Sequence, residues 1–234
     1  MGKIAIVDCR ADDKTIYRLE DIGLTVIPTA KTELYDDIAT HADIQIHYLG
    51  HNKFICAPEV FEHYRKLLSD DIQLTEGSAQ LGAEYPYDVP YNVAVLKDYV
   101  ICNSAYTAME ILREYRSMSK KILNVRQGYS KCNICTLNGN AMITSDNGIA
   151  KTASEHKMDF IRIREGFIKI RNLNYGFIGG ATGLIEKKLL AVNGEIKTHP
   201  DAEKIKLFCK SHETELIELK SGILEDIGTI IVNL

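Results

Sequence analysis

The sequence lacks three features: an apolar run long enough to cross a bilayer, a low-complexity linker, and an excess of basic residues. The first absence excludes a membrane-spanning helix, which needs about 20 such residues. The net charge of -4 and the pI near 6.0 disfavour broad binding to nucleic acid or anionic membranes. The N-terminal residues also lack the regions of a signal peptide, so we predict a cytoplasmic protein.

The six cysteines show no spacing typical of disulfides, and we expect reduced thiols. Cys132 and Cys135 form a CxxC pair, but no second pair completes a zinc site, so we predict neither a metal nor a cofactor. The Gly-Gly-Ala-Thr-Gly segment at 179–183 lacks the Lys-Ser/Thr ending of a phosphate-binding loop. Its glycines are instead expected to let the backbone approach a central axis closely.

One pattern recurs five times, at a spacing of roughly 40 to 50 residues. Each unit predicts a first strand, a second strand, a helix and a third strand. The predicted first strands open at 41–46, 88–95, 131–136, 180–185 and 225–232. The second strands are predicted at 54–56, 99–102, 141–144, 189–192 and, from the N-terminus, 3–8. A unit of this size cannot bury its apolar strand alone, so the units are expected to stack.

Helical periodicity and end signals complete the units. Helices are predicted at 11–23, 58–68, 105–118, 149–156 and 198–211, and third strands at 24–27, 122–125, 160–163 and 215–219. The predicted organisation is one domain whose repeats cover 1–40 with 224–234, 41–85, 86–127, 128–177 and 178–223. The N- and C-terminal strands are expected to pair, because only then does the ring leave no open edge.

These repeats, with Gln-Gly-Tyr-Ser-Lys-Cys at 127–132, Thr-His-Pro-Asp at 198–201 and Leu-Glu-Asp-Ile-Gly at 224–228, resemble the pentein superfamily of guanidino-group-modifying enzymes. The resemblance covers the whole chain and is strongest with an uncharacterised bacterial branch. It implies an α/β fold, a five-bladed ββαβ propeller with pseudo-fivefold symmetry. For an enzyme it implies a C–N hydrolase or amidinotransferase with a nucleophilic cysteine, a histidine acid/base and carboxylates that hold the guanidinium.

The chain departs from that pattern at its C-terminus. The enzymes carry their nucleophile on the opening strand of the last blade, whereas residues 221–234 contain no cysteine. Two hypotheses follow. The first is a central acidic pocket for a small cationic or guanidino-bearing ligand, with turnover through Cys132. The second is a non-catalytic pentein that binds a macromolecule such as the ribosome or another protein.

Cys132 is the candidate nucleophile, since it follows Lys131, whose ammonium is expected to lower the thiol pKa. The alternative is a small residue buried in a strand. His41 is the candidate base, because alternation places it with Asp43 and His47 on one strand face. His199 is the other histidine considered, although its Thr-His-Pro-Asp context indicates a helix start.

Carboxylates recur at the predicted openings and would converge if the ring forms. Such a set suits a guanidinium, whose planar donors match carboxylates, although each acid alone could cap a turn. Three uncharged side chains are predicted hydrogen-bonding partners in the same pocket, and Lys131 would compensate part of the acidic charge. The predicted binding residues are Asp43, Asp88, Asn92, Gln127, Lys131, Thr182, Glu225 and Asp226.

Overall fold

The structure, a computed structural model, describes residues 2–234. The strands of this part are β1 Ile4–Val7, β2 Thr25–Pro28, β3 Ile46–Gly50, β4 Lys53–Cys56, β5 Gln73–Glu76, β6 Ala94–Val95, β7 Tyr99–Cys102, β8 Lys121–Asn124, β9 Ile134–Thr136, β10 Met142–Thr144, β11 Phe160–Arg162, β12 Thr182–Glu186, β13 Leu189–Val192, β14 Glu215–Glu218 and β15 Ile231–Val232. The α-helices are α1 Asp13–Asp21, α2 Ala42–Gln45, α3 Phe61–Leu67, α4 Met109–Ser117, α5 Ser130–Asn133, α6 Asn147–Glu155 and α7 Ala202–Ser211. Short 3₁₀ turns lie at Pro58–Val60 and Ile196–Thr198.

The strands form five separate three-stranded sheets, in the orders β15-β1-β2, β3-β4-β5, β6-β7-β8, β9-β10-β11 and β12-β13-β14. In each sheet the first two strands are antiparallel, and the last two are parallel and joined through a helix. The predicted order of strand, strand, helix and strand is therefore confirmed, and β5, for which no residues were predicted, is the third strand of the second unit.

The two ends of the chain meet in one sheet, as predicted. β15 runs antiparallel to β1, with Ala5 opposite Val232 and Ile6 opposite Ile231. The Ile4 amide also donates to Asn233 Oδ1 at 2.7 Å. The first sheet is thus complete only when the C-terminal strand is present.

The sheets share their hydrophobic core. One cluster of buried residues joins Ile6 of β1, Phe54 of β4 and Val100 of β7 with Tyr64 of α3 and Ile111 of α4. The first strands are also neighbours, since β15 contacts β3 and β12, and β9 contacts β12 and β6. The burial that a single unit cannot supply is therefore provided by the next unit.

All five first strands begin later than predicted, at Ile46, Ala94, Ile134, Thr182 and Ile231, and two of the predicted openings form helical turns. Residues 42–45 and 130–133 each form one helical turn, α2 and α5, before the strand starts. The turns have long-range partners: the Asp43 amide donates to Gly228 O, and Asn92 Oδ1 accepts from the amides of Lys131 and Cys132. These contacts satisfy first-turn donors that a helix leaves unpaired. Alternation therefore does not relate His41 to Asp43.

No helix within residues 2–234 combines the length and the apolar character that crossing a bilayer requires.

Candidate functional site

A central cavity of about 410 Å³ lies where the first strands of all five sheets meet. Residues of β3, β6, β9, β12 and β15 all contribute to its wall. Most of the wall is apolar, and its branched aliphatic residues include Ile46, Val93, Val95, Leu184, Ile230 and Val232. Two predicted site residues, Asp43 and Lys131, also line it.

Asp43 is a buried carboxylate with one oxygen left free. Its Oδ2 accepts a hydrogen bond from Cys132 Sγ at 3.0 Å. Its Oδ1 is buried and has no hydrogen-bond partner among the described residues. Burial raises the Asp43 pKa to about 6, against the opposing effects of the Cys132 hydrogen bond and the Lys131 charge. Asp43 Oδ1 therefore can accept a further hydrogen bond.

Cys132 is buried in α5 and does not behave as the sequence predicted. Its sulfur also accepts from Asn92 Nδ2 at 3.1 Å. Burial and the nearby Asp43 and Asp226 raise the thiol pKa well above its usual value. The expectation of a lowered thiol pKa is wrong, because burial and both carboxyls outweigh the effect of the Lys131 ammonium. The shift favours the protonated thiol over the thiolate.

The Lys131 ammonium donates to Thr229 Oγ1 at 2.6 Å and to Gly179 O at 3.5 Å. Burial lowers the Lys131 pKa, while the Asp43 charge raises it. Thr229, with φ of +73°, is a partner that the sequence did not indicate. A non-glycine residue in this left-handed region is strained and marks a position that the surrounding contacts fix.

Asp226 lies next to this cluster and is held by the backbone. Its Oδ2 accepts from the Phe177 amide at 2.8 Å and its Oδ1 from the Gly228 amide at 2.9 Å. Burial raises its pKa, and the His41 charge opposes that shift. A Cβ at Gly180 would overlap the Asp226 carboxylate, and one at Gly179 would overlap the Lys131 carbonyl. The expectation that these glycines permit close backbone approach is confirmed.

We therefore expect Gly180→Ala to destabilise the protein by about 1 to 3 kcal/mol, the usual range for overpacking a core. The added methyl group would displace a buried carboxylate that two amides hold in place. Thermal denaturation measures the effect, with Gly2→Ala as the control because nothing lies within 4 Å of that position. Equal melting temperatures for the two variants would contradict the close approach.

Asp88 forms a second acidic point. Tyr129 donates its hydroxyl to Asp88 Oδ2, and the Tyr129 and Tyr35 hydroxyls lie 2.9 Å apart. Asp88 Oδ1 is buried without a hydrogen-bond partner in the described part of the chain. Burial raises the Asp88 pKa, against the effect of the Tyr129 hydrogen bond. The charges of Asp88 and Cys132 both raise the Tyr35 pKa, so Asp88 and Cys132 both lie near Tyr35.

His47 lines the central cavity, whereas His41, the predicted base, does not. His41 is buried with its Nε2 3.9 Å from Asp8 Oδ2, and burial lowers its pKa. His47, on β3, lines the central cavity and lies 2.7 Å from the Tyr115 hydroxyl. Burial lowers the His47 pKa to about 3, so this ring is neutral. His199 Nε2 lies 3.1 Å from Arg164 O, and its Nδ1 accepts from the Asp201 amide.

Three predicted binding residues have other partners. Glu225 pairs with Lys220 and lies 3.6 Å from Lys169. Gln127 lines a separate cavity, where it donates to Asp146 Oδ2 at 3.4 Å. Thr182 is buried and donates to Ile178 O at 2.8 Å. The central cavity is not lined by any of the three.

Comparison with known proteins supports the fold. The sequence model of a family described as a family of unknown function (DUF6873) matches residues 6–231. No curated protein matches the sequence.

Several solved structures share the arrangement of the chain. A DDAH from Pseudomonas aeruginosa, a Cys-to-Ser mutant complexed with citrulline, has a TM-score of 0.57 at 11% identity over 93% of this chain and 92% of that one. Agmatine deiminase from C. jejuni has a TM-score of 0.52 at 8% identity over 94% and 88%. Inosamine-phosphate amidinotransferase from Streptomyces griseus has 0.53 at 12% over 94% and 88%. The resemblance to the pentein superfamily is thereby confirmed at the level of the fold.

Proposed function

The chain belongs to the family of unknown function DUF6873, and we propose that this protein binds a small cation, such as a guanidinium or amine, through Asp43 and Asp88. The observation that carries the proposal is the pair of buried carboxylate oxygens without partners, Asp43 Oδ1 and Asp88 Oδ1. A buried carboxylate oxygen without a donor costs free energy. A ligand that brings N–H donors and a positive charge would remove that cost.

The charge of the cluster points to the same ligand class. When Asp43, Asp88 and Asp226 are ionised and Lys131 is protonated, these four side chains carry two net negative charges. The Cys132 thiol and the His41 ring add none, because burial favours their neutral forms. A bound cation would therefore offset part of this negative charge. A planar guanidinium suits it well, since its donors can meet more than one carboxylate.

Titration calorimetry with guanidinium, methylguanidine and methylamine tests the proposal. We expect binding at about pH 8 that weakens by up to tenfold per pH unit below about pH 6. The sign follows from Asp43: its carboxyl is ionised above a pKa of about 6 and loses its charge below it. Absence of binding by all three cations, both at about pH 8 and below about pH 6, would contradict the proposal.

A second candidate function is hydrolysis of the bound group with Cys132 as nucleophile and Asp43 as the base that accepts its proton. The favouring observation is that Cys132 Sγ lies 3.0 Å from the carboxylate proposed to hold the ligand. Asp43 would accept the thiol proton, the sulfur would add to the guanidino carbon, and the proton would pass from Asp43 to the nitrogen of the amine, which would leave as the C–N bond breaks. Water would then release the product and restore the thiol. This candidate requires that the ligand raise the reactivity of a thiol that is protonated without it.

Thiol alkylation tests the protonation of Cys132, and product analysis separates binding from turnover. Without ligand, iodoacetamide is expected to modify the exposed Cys9 and to leave the buried Cys132 unmodified, because the reactive species is the thiolate. Mass spectrometry of the modified peptides reads out both sites, and Cys9→Ser is the control. Cys132→Ser should keep cation binding under either function. Product release from guanidino compounds by the native protein, abolished in Cys132→Ser, would establish turnover.

A further inference from the structure

We infer that the ligand of this site is a singly charged guanidine or amine with an apolar body, and that this body occupies the central cavity. The inference rests on the proposed function, because it takes Asp43 as the anchor of the cation. Asp43 belongs both to the buried polar cluster and to the cavity wall. A ligand whose cation is bound to Asp43 therefore lies next to the cavity.

The cavity wall suits an alkyl or aryl group. Its aliphatic side chains come from four sheets, and two tyrosines, Tyr91 and Tyr115, extend the apolar surface. Its volume of about 410 Å³ falls within the range of small-molecule sites, about 300 to 1,000 Å³. The cavity therefore has room for an organic body of several carbon atoms in addition to the cationic head.

Three polar side chains of the wall, Tyr91, Tyr115 and His47, already have partners. The Tyr91 hydroxyl donates to Ala79 O at 2.8 Å, and the Tyr115 hydroxyl donates to Tyr48 O at 3.1 Å. His47 is neutral and lies 2.7 Å from the Tyr115 hydroxyl. A polar ligand tail would lose its hydration here and would have to displace these bonds to regain donors or acceptors. An apolar tail meets no such penalty.

Two lysines that line the cavity disfavour a second positive charge on the ligand. Lys131 lies near Asp43, and Lys120 donates to Leu96 O at 2.7 Å and Lys97 O at 2.6 Å. The terminal ammonium of a diamine-like ligand placed in the cavity would be repelled by both. This separates simple alkylguanidines from doubly charged guanidino amines of the same length.

A chain-length series tests the inference by calorimetry, with n-alkylguanidines from methyl to hexyl and with agmatine as the doubly charged comparison. We expect Kd to fall by about fourfold for each methylene buried, the value for transfer of one CH₂ from water. Agmatine should bind more weakly than butylguanidine, which has the same chain without the second charge.

Two matched variants test whether the apolar tail of the ligand occupies the central cavity. Thr136→Trp fills the cavity, because Thr136 is half-buried in its wall, and should abolish the gain with chain length while methylguanidine still binds. Thr152→Trp is the control, since Thr152 is also half-buried but lines the separate cavity with Gln127. It should leave the series unchanged.

The two proposals fail in different ways. If none of the guanidines binds, the proposed function itself is contradicted. If methylguanidine binds but Kd does not change with chain length, the cation site stands and the apolar tail is contradicted. Tighter binding of agmatine than of butylguanidine would also overturn the inference.

Discussion

Asp43→Asn is expected to weaken binding of methylguanidine at about pH 8 by at least about 30-fold, the lower range for removing one partner of a buried charge pair. The substitution keeps the size of the side chain and an oxygen that can accept from Cys132. It removes the negative charge that the ligand would neutralise. Isothermal titration calorimetry on native protein and variant measures the difference.

Glu225→Gln is the matched control. Glu225 is another carboxylate that the sequence placed in the pocket, but it pairs with Lys220 and Lys169. Its loss should change Kd by less than about twofold, as for a partly exposed pair away from the ligand. Equal effects of the two substitutions would show that net charge, and not contact with Asp43, determines affinity.

The Asp43→Asn substitution should also change the pH dependence of the free energy of unfolding. The Asp43 pKa is about 6 in the folded protein and near 3.9 in an unfolded chain. The folded state therefore holds a proton that the unfolded state releases between these values. This contribution to stability is fully present below about pH 4 and is lost as pH rises through about pH 6.

Denaturant unfolding at several pH values measures this contribution of Asp43 to the free energy of unfolding. The native protein should lose roughly 3 kcal/mol across that window through Asp43 alone. Asp43→Asn should lack this loss and should retain the parts due to Asp226 and Asp88, whose pKa values are shifted in the same direction. A steeper loss of stability with rising pH in the variant would contradict the assignment.

The order of elements was predictable because local rules decide it. Apolar strand runs, capping residues and Gly23 after α1 predicted five units, and the structure has them. The turns α2 and α5 were not predictable from the local pattern. Their amides bond to Gly228 and Asn92, which lie far away in sequence, so a strand-like pattern was overridden by tertiary contacts.

The site was predictable in its composition but not in its geometry. Recurrence at the openings identified Asp43, Lys131 and Cys132, which lie close together, and Asp88, which accepts from Tyr129. The direction of each side chain depends on neighbouring units, and so Glu225 was included although it pairs with lysines elsewhere. A positive φ at Thr229 has no signal in the sequence.

The Cys132 pKa shows the same limit in energetic terms. Adjacency to Lys131 is a sequence fact, but the ammonium donates to Thr229, and two carboxyls act on the sulfur. A thiol pKa depends on burial and on all nearby charges, not on the next residue alone. Sequence adjacency therefore gave the wrong direction of the shift.

Deletion of residues 224–234 is expected to unfold the whole protein. The segment contains β15, the partner of β1, and its residues Leu224, Ile227, Ile230 and Val232 are all buried. Burial of four such side chains contributes about 6 to 12 kcal/mol, since each is worth about 1.5 to 3. That is comparable to the entire stability of a typical domain, about 5 to 15 kcal/mol.

The deletion would also remove groups that hold the site together. Gly228 O accepts from the Asp43 amide, and Thr229 Oγ1 accepts from the Lys131 ammonium. Without them the first-turn amide of α2 and a buried ammonium would both lose a partner. The loss would therefore spread from the first sheet to the units that carry Asp43 and Lys131.

Circular dichroism and calorimetry measure the result, with deletion of Leu234 alone as the control. Leu234 is exposed, and its carbonyl accepts only from the Tyr48 hydroxyl among the described contacts, so its removal should shift the melting temperature by a few degrees at most. The larger deletion should show no cooperative melt at all. A truncated chain that kept a cooperative transition would show that the C-terminal strand is an appendage and that the other four sheets fold without it. Because Asp226, Gly228 and Thr229 lie in the deleted segment, such a chain should still lose cation binding, which would separate the role of the strand in the site from its role in the fold.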